Sequence, residues 1–567
     1  MSGTTSSLPT QLGDVADLTA FLQGLDPSTT LLDVKAIASA TVATEGMGQH
    51  GGLSGAMTRI ALTYTATTGD DCSRLHRPAT IICKTNRDTD QGRAHAKGMQ
   101  LPREALFLKH VRDLQTAVAT NAGVAGDVDV SSSLVAAMQR YAPSLVKGLP
   151  TIYYSEGDME RGTKMVLCED LGVARTVVVN NKEITVSGVQ SGWLLGPHSI
   201  LNRGIDDLAG LVKGKGWVVV NDAADSAEVS SLMPISVLEL VTSAFVTAAE
   251  LHGAFWLKGD ALLADPSTDA NAPREYLRGA KWFVSSSSSS SSSVKDGSDD
   301  ASSPSSLYAG GKALYEGSMQ FAHSNWQGYL RRLKEEEEKS SATPYAIPPN
   351  VAALMQVCCP TEAIPSYEAF LGAFAARPHT LVHGDFHPGN MLVCGEDRGG
   401  KAHEKRRKEE RAPTMVDPDT VRIALVDWEV VGIGSGPQDV GQYMTSHFTE
   451  EQFNTVALPA VAAYVQRLIE TIALSSGGGD VHKYVASADL RGTIGREIVV
   501  GALGRWAWLL GVMGGMESIS LDSMRYFNSQ VDAFMRWALR ADVADALGVS
   551  HIESAEALAK MVGMCRP

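Results

Sequence analysis

Leu381-Val382-His383-Gly384-Asp385-Phe386-His387-Pro388-Gly389-Asn390-Met391-Leu392-Val393 sets two short apolar runs around a polar loop. Apolar runs bounded by Gly and Pro read as buried strands joined by a loop. The loop carries a carboxylate, Asp385, and then an amide, Asn390. A buried scaffold of this kind holds a base beside a metal ligand. Further on, Ile423-Ala424-Leu425-Val426 forms another apolar run that ends in Asp427-Trp428-Glu429. A kinase catalytic loop needs this set: an Asp to orient a hydroxyl, and an Asn with a second Asp to hold Mg²⁺.

Outward from that loop, 567 residues are enough for two lobes with sizeable cores. Hydrophobic residues at 44% and charged residues at 20% fit a globular enzyme. A formal charge of −15 argues against nucleic-acid binding, which demands clustered Lys and Arg. The seven cysteines are scattered, with no CxxC pair, so neither a zinc ribbon nor a disulfide framework is expected. Several lie in apolar runs as buried reduced thiols do, and Met1–Gln11 lacks the basic and apolar parts of a signal peptide. A cytoplasmic location is expected. The apolar stretch Val499–Met513 is interrupted by Arg505 and reads as too short to span a bilayer.

Residues 1–30 read as a polar lead-in with one short helix near Val15–Leu25. Strands are expected over Val34–Thr44, Ala56–Thr67, Ala79–Lys84, Thr151–Tyr154 and Lys164–Cys168. Arg103–Leu114 is an amphipathic helix, since Leu108, Val111 and Leu114 recur at helical spacing. Five strands with one helix after the third is the order of a kinase N-lobe. From Glu169 onward helices are expected: Ile235–Trp256, Phe453–Ile472, a stretch through Leu510, and Asp522–Leu547. The serine run Ser285–Ser293, in a polar segment spanning about 284–306, and the segment 395–420 read as disordered insertions. The second includes Lys405-Arg406-Arg407-Lys408, read as a solvated hairpin or a basic signal. Lys334–Lys339, four glutamates between lysines, reads as a solvated helix end.

His383-Gly384-Asp385 followed by Asn390, then a strand ending in Asp427, resembles the signature of the aminoglycoside phosphotransferase and choline-kinase-like small-molecule kinases, including their ecdysteroid-kinase-like branch. The resemblance implies an α+β, two-lobed protein-kinase-like fold. Residues 31–170 would form a nucleotide-binding N-lobe with a five-stranded antiparallel sheet and one helix. Residues 171–567 would form a mainly α C-lobe carrying catalysis and the substrate. The implied activity is ATP-dependent phosphorylation of a small-molecule hydroxyl with Mg²⁺. Asp385 would take the hydroxyl proton, His383 would brace the loop, and Asn390 and Asp427 would bind Mg²⁺.

Gly46-x-Gly48-x-x-Gly51 matches a dinucleotide fingerprint in letters, but a strand rather than a helix follows it. A strand–loop–strand flap over phosphates fits better, with Gly51, Gly52, Ser54 and Gly55 nearest the second strand. Lys84 ends the third strand and would reach the α- and β-phosphates while Glu104 holds it. Phe107 stands where the family carries an aromatic after that Glu. Leu167 to Glu169 resembles the hinge whose backbone holds adenine, and reads equally as a strand end with an acidic cap. Leu251-His252-Gly253 resembles the family's Leu-His-Ala helix ending. Asp439 reads as a helix cap, and by resemblance it anchors the catalytic loop. Only nine residues separate Glu429 from Asp439, too few for a phosphorylated activation segment, and Gly384 stands where protein kinases carry Arg. Trp506, Trp508 and Tyr526 are candidates to line the acceptor pocket and also read as core. Two other readings use the same residues. His383, Asp385 and His387 alternate along the chain and could ligate one metal of a hydrolase. An intact but idle site would make a nucleotide-binding pseudokinase.

Overall fold

The computed structural model describes residues 15–43, 56–65, 75–86, 89–119, 148–179, 182–195, 212–220, 232–263, 271–280, 311–339, 345–359, 366–395, 421–475, 488–516 and 519–564. Gly46, Gly48, Gly51, Gly52, Ser54 and Gly55 lie outside these residues, as do Ser285–Ser293 and Lys405–Lys408. The chain is a mixed α/β protein with one five-stranded antiparallel sheet and many helices, compatible with an α+β class.

Runs rich in β-branched and apolar residues form β1 (Ile37–Val42), β2 (Ala56–Tyr64), β3 (Thr80–Thr85), β4 (Ile152–Asp158) and β5 (Thr163–Glu169). They pair antiparallel in the order β1-β2-β3-β5-β4. Successive side chains on a strand point to opposite faces. Ile81, Cys83, Met165 and Leu167 therefore share one face, packed with Leu18 and Leu22 of α1 (Val15–Gln23). The helix expected near Val15–Leu25 is thus part of the sheet's core. Lys84, Lys164 and Val166 point to the other face, where α3 (Arg103–Ala119) buries Ala105, Leu108 and Val111. A preceding helix, α2 (Asp90–Gly98), was unexpected from sequence. Ala96 is its only buried residue, so it has no apolar stripe to read, and Thr89 caps it by accepting from the Gly92 amide at 2.9 Å.

After Glu169 the expected helices are preceded by short strands. β6 (Arg175–Val179) and β7 (Lys182–Val186) form a hairpin, and β9 (Trp217–Val219) pairs parallel with β10 (Met233–Ile235). β8 (Val189–Gln190) adds to the site sheet described below. The Val237–Ala254 helix then runs through the core against Ala457–Ser475. Two expected helices are each divided: Glu450–Thr455 precedes Ala457–Ser475, and Leu521–Ala538 precedes Ala541–Leu547.

Four strands place the loop quoted first. β11 (His379–Val382) pairs with β14 (Gly432–Ser435), while β12 (Met391–Gly395) pairs with β13 (Val421–Leu425) and β8. The connections 383–390 and 426–431 therefore both run between the same two small sheets, which brings Asp385 and Asp427 close despite their separation in sequence. Among the described residues two helical stretches are long and apolar enough to cross a bilayer, Ala457–Ser475 and Leu490–Gly514. The second is longer than the Val499–Met513 stretch read from sequence, and 78% of its apolar window is buried in the protein. The first has 33% of its window buried. Such helices are weak evidence for a membrane span.

Leu22→Ala is expected to lower unfolding free energy by about 2–5 kcal/mol through the cavity left under the sheet. Denaturant melts measure this, and an unchanged midpoint would contradict the docking of α1.

Candidate active site

Strand alternation delivers half-buried Lys84 and fully buried Lys164 to one point. Lys84 Nζ lies 3.0 Å from Glu104 Oε1, 2.6 Å from Asp427 Oδ1 and 3.3 Å from Glu429 Oε1. Lys164 Nζ lies 2.8 Å from Glu104 Oε2 and also pairs with Glu429. The Trp428 amide donates to Glu104 Oε1 at 3.2 Å. Burial opposes every charge here, so each must be paired. Burial pulls the Lys84 pKa down, but Glu104, Asp427 and Glu429 raise it well above its ordinary value. Burial likewise pushes the Glu104 carboxyl up, and Lys164 and Lys84 bring it down to about 2. Asp427 is shifted upward, by burial and by the neighbouring Glu104 and Glu429 against the pull of Lys84. Oxygens of Glu104, Asp427 and Glu429 lie within 4.8 Å of one another, close enough to hold a cation. The Lys84 and Lys164 ammoniums already serve that purpose.

Asp427 has φ 65°, a left-handed conformation that costs a non-glycine residue about 1–2 kcal/mol. The Lys84 contact and the ring of the next residue hold it there. Trp428 stacks on Phe107 of α3 at 4.8 Å between centroids and meets the His383 ring at 4.6 Å. One indole thus ties the sheet's helix to the loop at 383–390.

That loop is fixed by its own polar groups. The amides of His383 and Gly384 donate to Asp439 Oδ2 at 3.0 and 3.4 Å. Ser435 is the N-cap of the Gly436–His447 helix, and Asp439 lies in its first turn. Asp439 is therefore the loop's anchor rather than the expected cap. His252 Nε2 is 3.4 Å from the same Asp439 oxygen, and its Nδ1 meets the Tyr464 hydroxyl at 2.9 Å. Gly384 has φ 79°, and a Cβ there would lie 2.5 Å from the Val430 carbonyl oxygen, so no side chain fits. The fully buried His383 accepts from the Asp385 amide through Nδ1 at 3.3 Å and donates from Nε2 to the Val426 carbonyl at 3.0 Å. Burial lowers its pKa, which favours this neutral form. Both ring nitrogens are engaged, so His383 is a brace with no lone pair for a metal.

Asp385 Oδ2 accepts from Asn390 Nδ2 at 3.0 Å, and Oδ1 accepts from Gln442 Nε2 at 3.2 Å. Asn390 Nδ2 also donates to the Asp385 carbonyl at 3.0 Å, which leaves its Oδ1 as the ligand atom. Oxygen donors from Asn390 and Asp427 suit a hard cation such as Mg²⁺. His387 Nδ1 accepts from the Gly389 amide at 3.1 Å, and its Nε2 faces Asp385 Oδ2 at 3.5 Å. Burial pushes the Asp385 carboxyl up, but His387, with Arg505 and His383, holds it well below the usual carboxylate range. The same pairing raises the His387 pKa against its burial. His387, which sequence left without a role, caps the Pro388–Asn390 turn and partners Asp385.

Six expected residues thus meet at one site: Lys84, Glu104, His383, Asp385, Asn390 and Asp427. Leu167 and Glu169 are placed differently. Leu167 is buried on the α1 side of the sheet, and the Glu169 amide donates to the Thr151 carbonyl at 2.8 Å. The Glu169 carboxylate accepts from the Thr151 amide at 3.1 Å and pairs with Arg175. The chain leaves the sheet only at Asp170, which holds Arg59 at 2.6 Å and Thr80 at 2.8 Å. Gly51, Gly52, Ser54 and Gly55 lie outside the described residues. Sequence reasoning missed Lys164, Glu429 and Gln442. Lys164 stands in phase with Val166 on the inward face, and Gln442 lies three residues after Asp439 on the same helix face. No protein-family model matches the chain, and no curated protein matches it.

Lys164→Met removes one partner of a buried ion network and is expected to destabilise the fold by about 3–5 kcal/mol. Urea melts test this; a loss below about 1 kcal/mol would show that the network is not coupled.

Proposed function

We propose that this chain is an ATP- and Mg²⁺-dependent phosphotransferase acting on a hydroxyl of a small molecule, with a two-lobed protein-kinase-like fold of the aminoglycoside-phosphotransferase and choline-kinase type. The observation that carries this reading is the Lys84 ammonium, bound at once to Glu104 of α3 and to Asp427 beside the loop of Asp385. In phosphoryl transfer the protein's task is alignment and charge neutralisation. MgATP would supply the transferable phosphoryl group and the metal that offsets its charge. Lys84, steadied by Glu104, presents an ammonium to phosphate oxygens, and Asn390 Oδ1 with the Asp427 carboxylate offers the metal its oxygens. Asp385, kept ionised by His387, accepts the acceptor hydroxyl's proton. Gln442 and Asn390 hold the Asp385 carboxylate in one orientation. The adenine would lie past the end of β5, near Asp170 to Gly172, rather than along the paired Leu167 to Glu169. Burial pushes the Cys83 thiol up to about 12. The five described cysteines are reduced thiols, as a reducing compartment would keep them, and a cytoplasmic setting is included in this reading.

Asp385→Asn is expected to lower ATP-dependent transfer about 10²–10⁴-fold with the fold retained. Labelled ATP with hydroxyl acceptors from cell extract measures it, and full activity in the folded variant would overturn the assignment. His387→Gln removes the group that depresses the Asp385 carboxyl. The base must be ionised to act, so the acid limb of the kcat/KM profile should move to higher pH. An unmoved limb would exclude His387 as its partner.

A further inference from the structure

Two arginines beside this site carry no ion pair among the described residues. Arg505 is 5% exposed, and its Nε and Nη1 are buried without a hydrogen-bond partner. It stands on the Ala502–Gly514 helix, just after the π-helical turn Glu497–Gly501. One extra residue in a helical turn rotates the succeeding residues by about 100°, and such turns recur at functional sites. The π turn packs closely on the helix that carries Asp439 and Gln442: a Cβ at Gly441 would lie 2.1 Å from the Ile498 carbonyl oxygen. Arg505 thereby feels the charges of Asp385 and Asp439. Arg278 approaches from another segment. Its backbone bonds Val431 at 3.1 Å and Ile433 at 2.7 Å, joining it to the strand beyond Asp427.

Both guanidiniums converge on one ring. Arg505 Cζ is 4.9 Å and Arg278 Cζ 5.9 Å from the Trp508 ring centroid. Trp508 is itself fixed by donating to Ser318 Oγ at 2.9 Å. The neighbouring Arg103 spends its donors on the Tyr276 and Glu429 carbonyls and on Gln100. Arg278 and Arg505 do not. Burial and mutual repulsion pull the Arg278 pKa well down. Asp385 and Asp439 attract the pair, but their oxygens are already taken by Gln442, Asn390 and two loop amides. Holding two like charges together with donors unspent is destabilising. A planar donor fork matches the oxygens of a carboxylate or phosphate.

Resting on the kinase reading for the role of Asp385, we propose that Arg278 and Arg505 recognise an oxyanion on the acceptor, so the molecule phosphorylated is a hydroxylated carboxylate or phosphate ester. Trp508 would present both guanidiniums and give the acceptor a flat wall. The overall charge of −15 permits a cationic acceptor without requiring one, and the local cations favour an anion.

The test is calorimetric titration of the full chain with sulfate, D-gluconate and glycerol 3-phosphate, with glucose and glycerol as neutral counterparts. MgAMP-PNP is titrated first and kept saturating. At least one organic anion should bind saturably, the neutral compounds should not, and Arg505→Met and Arg278→Met should each weaken binding about tenfold or more. Arg467→Met, a surface change, should leave it unaltered. The better of gluconate and glycerol 3-phosphate tells carboxylate from phosphate recognition. If Arg505→Met fails to fold, the partly exposed Arg278 decides. Absence of saturable anion binding, or binding indifferent to both arginines, would overturn the proposal. Nucleotide binding without anion binding removes only this proposal, while anion binding without nucleotide binding removes the kinase reading instead.

Discussion

Half-buried Lys84 bridges buried Glu104 and half-buried Asp427, and this contact ties the sheet to the helical region. It joins a strand, the second helix after it and a turn more than three hundred residues away. No single segment satisfies these charges alone, because Glu104 is buried and Lys84 is largely withdrawn from water. Lys164 and Glu429 complete the balance, and Trp428 fills the gap between Phe107 and His383. The five-stranded sheet and the helical region are thereby locked by electrostatics as well as by apolar packing.

A second rigid unit hangs from Asp439. Its carboxylate gathers the two amides that open the 383–390 loop, and His383 ties that loop to Val426 just before Asp427. The result fixes Asp385 and Asn390 relative to Asp427 through short, buried links. Such preorganisation is what phosphoryl transfer asks of a protein. Gly384 permits the close approach to Val430, which explains why a larger residue cannot stand there.

Much of this was legible in the sequence. The strands of the sheet and α3 carry strong periodicity, and Lys84, Glu104, Asp385, Asn390 and Asp427 stand in recognisable order. Other parts were hidden for physical reasons. α2 buries only Ala96, so it has no apolar stripe. Lys164 looks like a solvated lysine until strand phase places it opposite Glu104. The β6–β7 hairpin is signalled only by the short β-branched run Val177-Val178-Val179, too brief to stand out beside the longer helices. His387 and Gln442 acquired roles only when tertiary structure brought them to Asp385, since no local pattern encodes that meeting. Arg505 read merely as a charge in an apolar stretch, while in the fold it is buried and feels the charge of Asp385.

Metal binding separates a phosphotransferase from a metal-dependent hydrolase built on His383, Asp385 and His387. Mn²⁺ can stand in for Mg²⁺, and its spin-resonance signal falls on binding. A phosphotransferase site should show weak Mn²⁺ binding by the protein alone, stoichiometric binding once AMP-PNP is added, and loss of that binding in Asp427→Asn. Stoichiometric binding of Mn²⁺ or zinc without nucleotide, abolished by His383→Ala or His387→Ala and indifferent to Asp427, would contradict it.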